Sequence, residues 1–245
     1  MSYDFGNPLW DLMALIYDYF YKNFPPYQTL LKTLTNNLEK ETINPIYILD
    51  AGCGTGLLSF EIAKRNFYVI GVDKSMAMLN IARKKRKKEN LNNLNFIYGD
   101  LNNDLHFLSK YKFNKVFLIH SLYLLKNPED FLKKVSSLLS PSGEIFICNP
   151  LREITMAELI SGGRLFVKEI LSQKRFFEIY FFLLITFAMG FLNVIIQKQK
   201  KKRIYHCWNL DRLVYILKQT GFKVKWTENS CLAYSHLLIC AIKED

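Results

Sequence analysis

The chain has 245 residues, of which 50% are hydrophobic and 22% charged, so it can bury a substantial core and is neither disordered nor collagen-like. Its formal net charge is +11, and two runs, Arg83–Lys88 with +6 and Lys198–Arg203 with +5, account for all of it. A partner therefore meets two basic patches, open to anionic lipid or nucleic acid, rather than a uniformly basic body.

The cysteines, Cys53, Cys148, Cys207, Cys231 and Cys240, are odd in number and lack C-x-x-C spacing. That argues against a disulfide framework or a zinc site, so no metal centre is read and a reducing compartment is expected. Met1–Asp11 has no cationic start followed by an apolar stretch, so no signal peptide is read and a cytoplasmic protein is expected. Trp10, Met13, Ile16, Tyr17 and Phe20 then recur at helical spacing, and Pro25-Pro26 closes that helix.

From Ile46 the chain alternates strands and helices. Ile46–Leu49 is a short apolar run ending in Asp50-Ala51-Gly52, a buried strand feeding a turn, and Leu57–Lys64 follows at helical spacing. Phe67–Val72 is a second strand stopping at Asp73, after which Ser75 caps a helix to about Lys88. Leu94–Tyr98 and Val116–Ile119 are the third and fourth strands, the latter preceded by turn-like Lys112-Phe113-Asn114. Asn127 is the N-cap of the next helix, Pro128 its first residue, and Glu129 and Asp130 complement its dipole. Ser140-Pro141-Ser142-Gly143 ends it and Glu144–Cys148 is a fifth strand. Asn209 caps a last helix ending at Gly221, and Phe222–Trp226 and Leu237–Ile242 are two more strands. Their link, about ten residues starting at the polar Thr227–Ser230, has no room for a crossover helix, so that pair is expected antiparallel. The alternation predicts an α/β fold with a mostly parallel sheet covered on both faces.

The stretch Asp50-Ala51-Gly52-Cys53-Gly54-Thr55-Gly56 joins the first strand to its helix. Glycines let a ligand approach the backbone there, and the helix N-terminus offers unpaired N–H groups. The spacing is D-x-G-x-G-x-G; Leu57 stands where a dinucleotide fingerprint needs its third glycine, and no Gly-Lys-Ser/Thr follows to make a P-loop. Asp73 ends the second strand, where a carboxylate can accept both hydroxyls of a ribose and repel a phosphate. Asp100, in Tyr98-Gly99-Asp100-Leu101, follows the third strand and can accept from an adenine amino group.

With these three elements at consecutive strand ends, the chain resembles the class I S-adenosylmethionine-dependent methyltransferases, over about Ile46–Pro150 and again, less closely, over Asn209–Asp245. The resemblance implies a Rossmann-like, seven-stranded, mostly parallel sheet with an antiparallel last strand. It also implies S-adenosylmethionine as methyl donor and S-adenosylhomocysteine as product. Carried over, Asp50, Gly52, Gly54 and Gly56 would line the methionine and ribose end, with Cys53 in the same loop. Asp73 would bind the ribose and Asp100 the adenine, with Leu101 and His120 completing the cofactor-binding set. Ser142-Gly143 replaces the family's usual pair of glycines, and Cys53 fills a freely varying position.

His120, just past the fourth strand in Ile119-His120-Ser121-Leu122-Tyr123, is the best-placed candidate for a catalytic base, though a role in which it only packs near the cofactor is slightly favoured. His106 and His236 have no supporting context. Tyr17 and Asp18 stand where an N-terminal segment of this superfamily often folds over the cofactor, and neither is assigned a role.

The organisation expected is a helical cap over 1–45, the cofactor-binding core over 46–150, a hydrophobic helical insertion over 151–208, and a helix and hairpin over 209–245 completing the core. Within the insertion Tyr180–Ile196 carries no charge in 17 residues, slightly short of the ~20 a membrane span needs. A single crossing would also strand its two flanks on opposite sides of the bilayer. A lid over the substrate, a helix dipping into one leaflet of an anionic membrane, and a dimer contact remain open, and the cations that follow favour peripheral membrane contact. The activity expected is methyl transfer to a hydrophobic small-molecule or lipid-like acceptor such as a quinone, isoprenoid or lipid. The alternatives are a nucleic-acid methyltransferase and a non-catalytic, membrane-associated binder of the cofactor. No Asn/Asp-Pro-Pro-aromatic motif follows the fourth strand, which counts against nucleic acid as partner, and no extra acidic cluster suggests aminopropyl transfer to a polyamine.

Overall fold

Neighbouring residues of the central strands feed two different cores, which is why those strands read as continuous apolar runs. Ile48, Val69, Phe117 and Phe146 join one buried cluster, while Leu49, Ile70, Leu118 and Ile147 join the other. The computed structural model describes residues 14, 16–38, 45–103, 105–151, 156–172, 179–188, 190–191, 206, 208–231 and 236–244.

The strands are β1 (Tyr47–Ala51), β2 (Tyr68–Asp73), β3 (Leu94–Tyr98), β4 (Phe113–Ile119), β5 (Leu139–Pro150), β6 (Phe222–Cys231) and β7 (His236–Lys243). They form one sheet in the order β3-β2-β1-β4-β5-β7-β6. β1 to β5 pair in parallel, and β7 runs antiparallel to both β5 and β6. The antiparallel final pair is therefore as expected.

One face is covered by α1 (Pro25–Asn36), α2 (Leu57–Ala63) and α3 (Met76–Glu89), the other by α4 (Pro128–Leu138) and α6 (Leu210–Gln219). The caps read from sequence are formed. The side chains of Ser75, Asn127 and Asn209 accept from the backbone N–H of Met78, Asp130 and Arg212.

Three boundaries differ from expectation. β4 begins at Phe113 rather than Val116, because Phe113 already pairs with Leu139. The Ser140–Gly143 turn is drawn into β5 as an irregularity between that pair and Lys115–Glu144, with Ser142 at φ 55°. The polar Thr227–Ser230 stretch is not a link but part of β6, since Thr227, Glu228 and Cys231 pair with Ile239, Leu238 and His236. β6 is an edge strand, so its outer side tolerates polar side chains.

Residues 16–22 are helical, as are 179–188, and both lie against the face that carries α1. Phe20 stacks on Phe24 and Phe182 with ring centroids 5.0 and 5.9 Å apart. α5 (Met156–Ser172) fits there only because it has two glycines: an added Cβ would lie 2.6 Å from the Phe24 ring at Gly162 and 2.7 Å from Phe182 at Gly163. Trp10, Met13, residues 192–196 of the apolar stretch and the basic run Lys198–Arg203 lie outside the described residues. Among the described residues no helix is long and apolar enough to cross a membrane. Half of the other basic run faces the protein. Arg83 donates to Phe96 O, Lys85 pairs with Asp18, and Arg86 donates to Leu91 O.

Candidate functional site

The sheet order reverses between β1 and β4, so the crossovers leaving those two strands go to opposite faces and open a crevice at their carboxyl ends. The glycine loop, the β2 terminus and the segment after β4 meet there. Gly52, Gly54 and Gly56 all have positive φ, at 83°, 54° and 82°. An added Cβ at Gly52 would lie 2.5 Å from the Ser121 Cβ, and one at Gly56 2.6 Å from the Phe96 ring, whereas one at Gly54 would meet nothing within 4 Å. The first and last glycines thus permit close packing, and the middle one borders open space. Gly52→Ala is expected to cost about 2–4 kcal/mol from left-handed strain plus the clash, and Gly54→Ala about 1–2 kcal/mol from strain alone. Thermal unfolding of the two variants measures the difference.

Asp73 ties the loop to its own turn. Its Oδ2 accepts from Gly54 N and its Oδ1 from Ser75 N, both at 2.8 Å. Burial raises its pKa against the lowering effect of those N–H groups. The Lys74 N–H also lowers it, so three backbone donors serve this carboxylate, which with about four acceptor positions can still take a further donor. Asp50, buried at the end of β1, accepts from Ser59 Oγ at 2.5 Å. Burial lifts its carboxyl to about 6, with Asp73 adding to the rise. Asp73 is thus close enough to raise Asp50, and a cation brought between the two carboxylates would lower both values.

Asp100 follows β3 beside Asp73, since Gly99 N donates to Asp73 O. Its Oδ1 accepts from both the backbone N and the side-chain Nδ2 of Asn102, so part of its work is to shape its own turn. The Leu101 side chain is buried in the apolar cluster on the α4 side, which leaves only its backbone to reach a ligand. Cys53 likewise turns inward, its Sγ within 3.0 Å of where a Cβ on Gly71 would sit, and burial pushes its thiol up.

His120 takes φ 57°, a left-handed conformation that His adopts more readily than most residues, and its N–H donates to Cys148 O. Its Nε2 lies 3.5 Å from Cys148 Sγ. Burial lowers its pKa to about 4, so the ring is neutral at physiological pH. Two further rings lie near it, Tyr27 at 6.3 Å and His236 at 4.7 Å between centroids. Ser121 Oγ is buried with no hydrogen-bond partner among the described residues.

Tyr27 and His236 carry no sequence signal for the site, whereas the sequence singles out Tyr17 and Asp18 without a role. Tyr27 belongs to α1, yet its buried hydroxyl is raised by desolvation with Asp50 and Cys148 contributing, which places it at the mouth of β1 and β5. Tyr17 is raised by desolvation too, with Tyr27, Tyr21, Tyr123 and Asp73 close enough to add to it. Asp18 anchors the N-terminal helix over the loop, accepting from Thr55 Oγ1 and pairing with Lys85 Nζ at 2.7 Å. His236 is brought in by β7 from the far end of the chain. Among the described residues no cluster of three or more His, Cys, Asp or Glu is placed to hold a metal ion.

Comparison with known proteins adds the following. The family described as a methyltransferase domain matches residues 45–210. A ubiquinone biosynthesis O-methyltransferase of Coxiella burnetii is 30% identical over 105 residues, 43% of this chain and 44% of that protein. A demethylmenaquinone methyltransferase of Tropheryma whipplei is 26% identical over 182 residues, 72% of this chain and 66% of that one. The chain thus spans less than half the length of the first of these relatives. The magnesium protoporphyrin IX methyltransferase of Synechocystis PCC 6803, solved with bound SAH, superposes with a TM-score of 0.60 at 17% identity, covering 91% of this chain and 86% of that one. Likeness at that identity speaks for the fold.

Proposed function

The chain belongs to the methyltransferase-domain family, and on that premise we propose that it is an S-adenosylmethionine-dependent methyltransferase whose acceptor is a hydrophobic, quinone-type ring compound. The observation that carries this reading is the hydrogen bond from Gly54 N to Asp73 Oδ2, which joins the D-x-G-x-G-x-G loop and the β2 carboxylate into one cradle at the switch point. The residues present fit the cofactor: open space at Gly54, spare acceptor capacity on Asp73, the orphaned Ser121 Oγ, and a carboxylate, Asp50, suited to a cationic ligand.

When bound, S-adenosylmethionine supplies a methyl group on a sulfonium for in-line transfer to a nucleophile. Asp73 would hold the ribose hydroxyls, and Asp100 with the Leu101 backbone would meet the adenine. Asp50 and the loop from Gly52 through Cys53 and Gly54 to Gly56 would face the methionine end. Tyr17, Tyr27 and the helix tethered by Asp18 exclude water from above. His120 would accept a proton from the acceptor. A quinol-type ring needs such a base whether its oxygen or its carbon takes the methyl, because deprotonating the ring hydroxyl makes both more nucleophilic. The relatives named for ubiquinone and demethylmenaquinone support that class of acceptor.

Calorimetry with S-adenosylmethionine and S-adenosylhomocysteine, followed by methyl incorporation into quinols and into polar metabolites, tests the reading. Binding of both nucleosides and incorporation only into apolar rings are expected; methylation confined to water-soluble acceptors overturns the substrate class. Gly54→Ala should weaken binding of both nucleosides at least tenfold while the protein stays folded, because its Cβ enters the space assigned to them.

A pH dependence follows from Asp50. Its carboxyl titrates at about 6 in the free protein, and a bound cation lowers that value, so binding releases a proton. Affinity should therefore be flat above pH 7 and about tenfold weaker at pH 5, one unit below the free-protein value. Asp50→Asn should flatten the profile; an unchanged slope in that variant would remove Asp50 from the cation's surroundings.

A further inference from the structure

The inner side of the helical segment 179–188 is accounted for, and its outer side is not. Phe182 and Ile185 are buried against the N-terminal helices, and Thr186 is buried with its hydroxyl donating to Phe182 O. On the opposite side Tyr180, Leu183, Leu184, Phe187 and Phe191 follow one another at i, i+3, i+4, i+7 and i+11. Tyr180 is 67% exposed, Leu184 52%, Phe187 68% and Phe191 58%. Such a contiguous stripe of large apolar side chains marks an interaction surface. The neighbouring helix α5 continues it with exposed Ile160 and Leu171, and between the two helices lies a cavity of about 240 Å³. Its walls are apolar, and Arg164 and Lys168, both exposed on α5, belong to its lining.

We propose that this face, formed by the outer stripe of 180–191 together with Ile160, Arg164, Lys168 and Leu171 of α5, docks on the surface of an anionic lipid bilayer. The inference goes beyond the methyltransferase reading and does not depend on it.

Three observations choose this occupant. First, the stripe lies on the side of the helix opposite Phe182 and Ile185, which are the side chains packed into the protein, so none of the described residues covers it. Second, the charge of this face suits lipid headgroups: its described cations, Arg164 and Lys168, are both exposed on α5. Arg164 and Lys168 stand beside the apolar stripe, where headgroup phosphates meet acyl chains. A second copy of the chain would bring the same excess of positive charge against itself. Third, no helix among the described residues is long and apolar enough to span, so the apolar side chains enter one leaflet only. An acyl chain from that leaflet would fill the cavity between the helices, and an acceptor that partitions into lipid would be delivered at the same surface.

Flotation of the full chain with vesicles tests the proposal, using pure phosphatidylcholine and phosphatidylcholine carrying phosphatidylglycerol, each at low and high salt. Binding to the anionic vesicles, weakened by salt, is expected. Leu184→Glu/Phe187→Glu should abolish it, and Arg164→Gln/Lys168→Gln should weaken it by roughly tenfold or more, at about fivefold per cation. Thermal unfolding shows whether each variant keeps its core without reference to the cofactor, and calorimetry with S-adenosylmethionine, whose affinity should be unchanged, separates loss of lipid binding from failure of the cofactor reading. Wild-type protein that stays unbound with anionic vesicles, or a glutamate variant that floats as well as wild type, overturns the proposal. So does a dimer in sedimentation that the glutamate variant converts to monomer without changing flotation, because the face is then a subunit interface.

Discussion

Replacing Asp73 with alanine is expected to weaken S-adenosylmethionine binding by about two to four orders of magnitude. The proposed contacts to two ribose hydroxyls are charge-assisted, each worth about 1.5–3 kcal/mol, and about 1.4 kcal/mol is tenfold in affinity. The same side chain also accepts from Gly54 N and Ser75 N, so the variant loses the ligand contacts and the restraint on the loop together. Asp73→Asn separates these effects poorly: an amide has one accepting oxygen, so its NH2 must face one of the N–H groups that the carboxylate satisfied. The cleaner readout is ligand-induced thermal stabilisation. Donor at a hundred times its dissociation constant stabilises the wild type by about 2.7 kcal/mol, and the same concentration should leave Asp73→Ala nearly unmoved. Binding within about threefold of wild type would falsify the ribose assignment, whatever the variant does to stability.

Asp73 also shows what could be read from the chain alone. Its position in the sequence, ending an apolar run some twenty residues after the glycine loop, was enough to place it at a strand end. The hydrogen bonds that make it part of the loop need the register of β1 against β2. The glycines were legible because positive φ and close approach leave little choice of residue; which of the three faces open space was not. The caps at Ser75, Asn127 and Asn209 were legible for a similar reason, being local. Tyr27 and His236 stayed hidden. One sits on a helix before the core and the other on the last strand, and only the tertiary fold brings both rings to His120. The polarity of Thr227–Ser230 reads as a link between strands, whereas an edge strand carries polar residues without loss. The basic run Arg83–Lys88 was legible as charge but not as contacts, since Lys85 finds its partner 67 residues earlier, at Asp18.

His120 provides the second large effect. Its replacement by alanine should reduce turnover of a hydroxylated ring acceptor by about 10²–10⁴-fold, the usual range for a positioned base, while donor affinity stays within a few-fold. Nε2 lies 3.5 Å from the Cys148 thiol, so in the tautomer that carries its proton on Nε2 the other nitrogen, Nδ1, would be the one to take a proton from the acceptor. The pH profile separates this role from mere packing. His120 is neutral down to about 4 and Asp50 titrates at about 6. A neutral base is the competent form, so kcat at saturating donor should hold down to about pH 5 and fall only as His120 becomes protonated below that. The second-order constant for the donor should bend earlier, near 6, where Asp50 in the free enzyme begins to hold a proton. Two acid limbs about two units apart, one in each parameter, are the expected signature. A packing residue predicts something else: His120→Ala would then move the melting temperature, leave the kcat limb in place, and cost turnover no more than the loss of fit around Tyr27 and His236 allows.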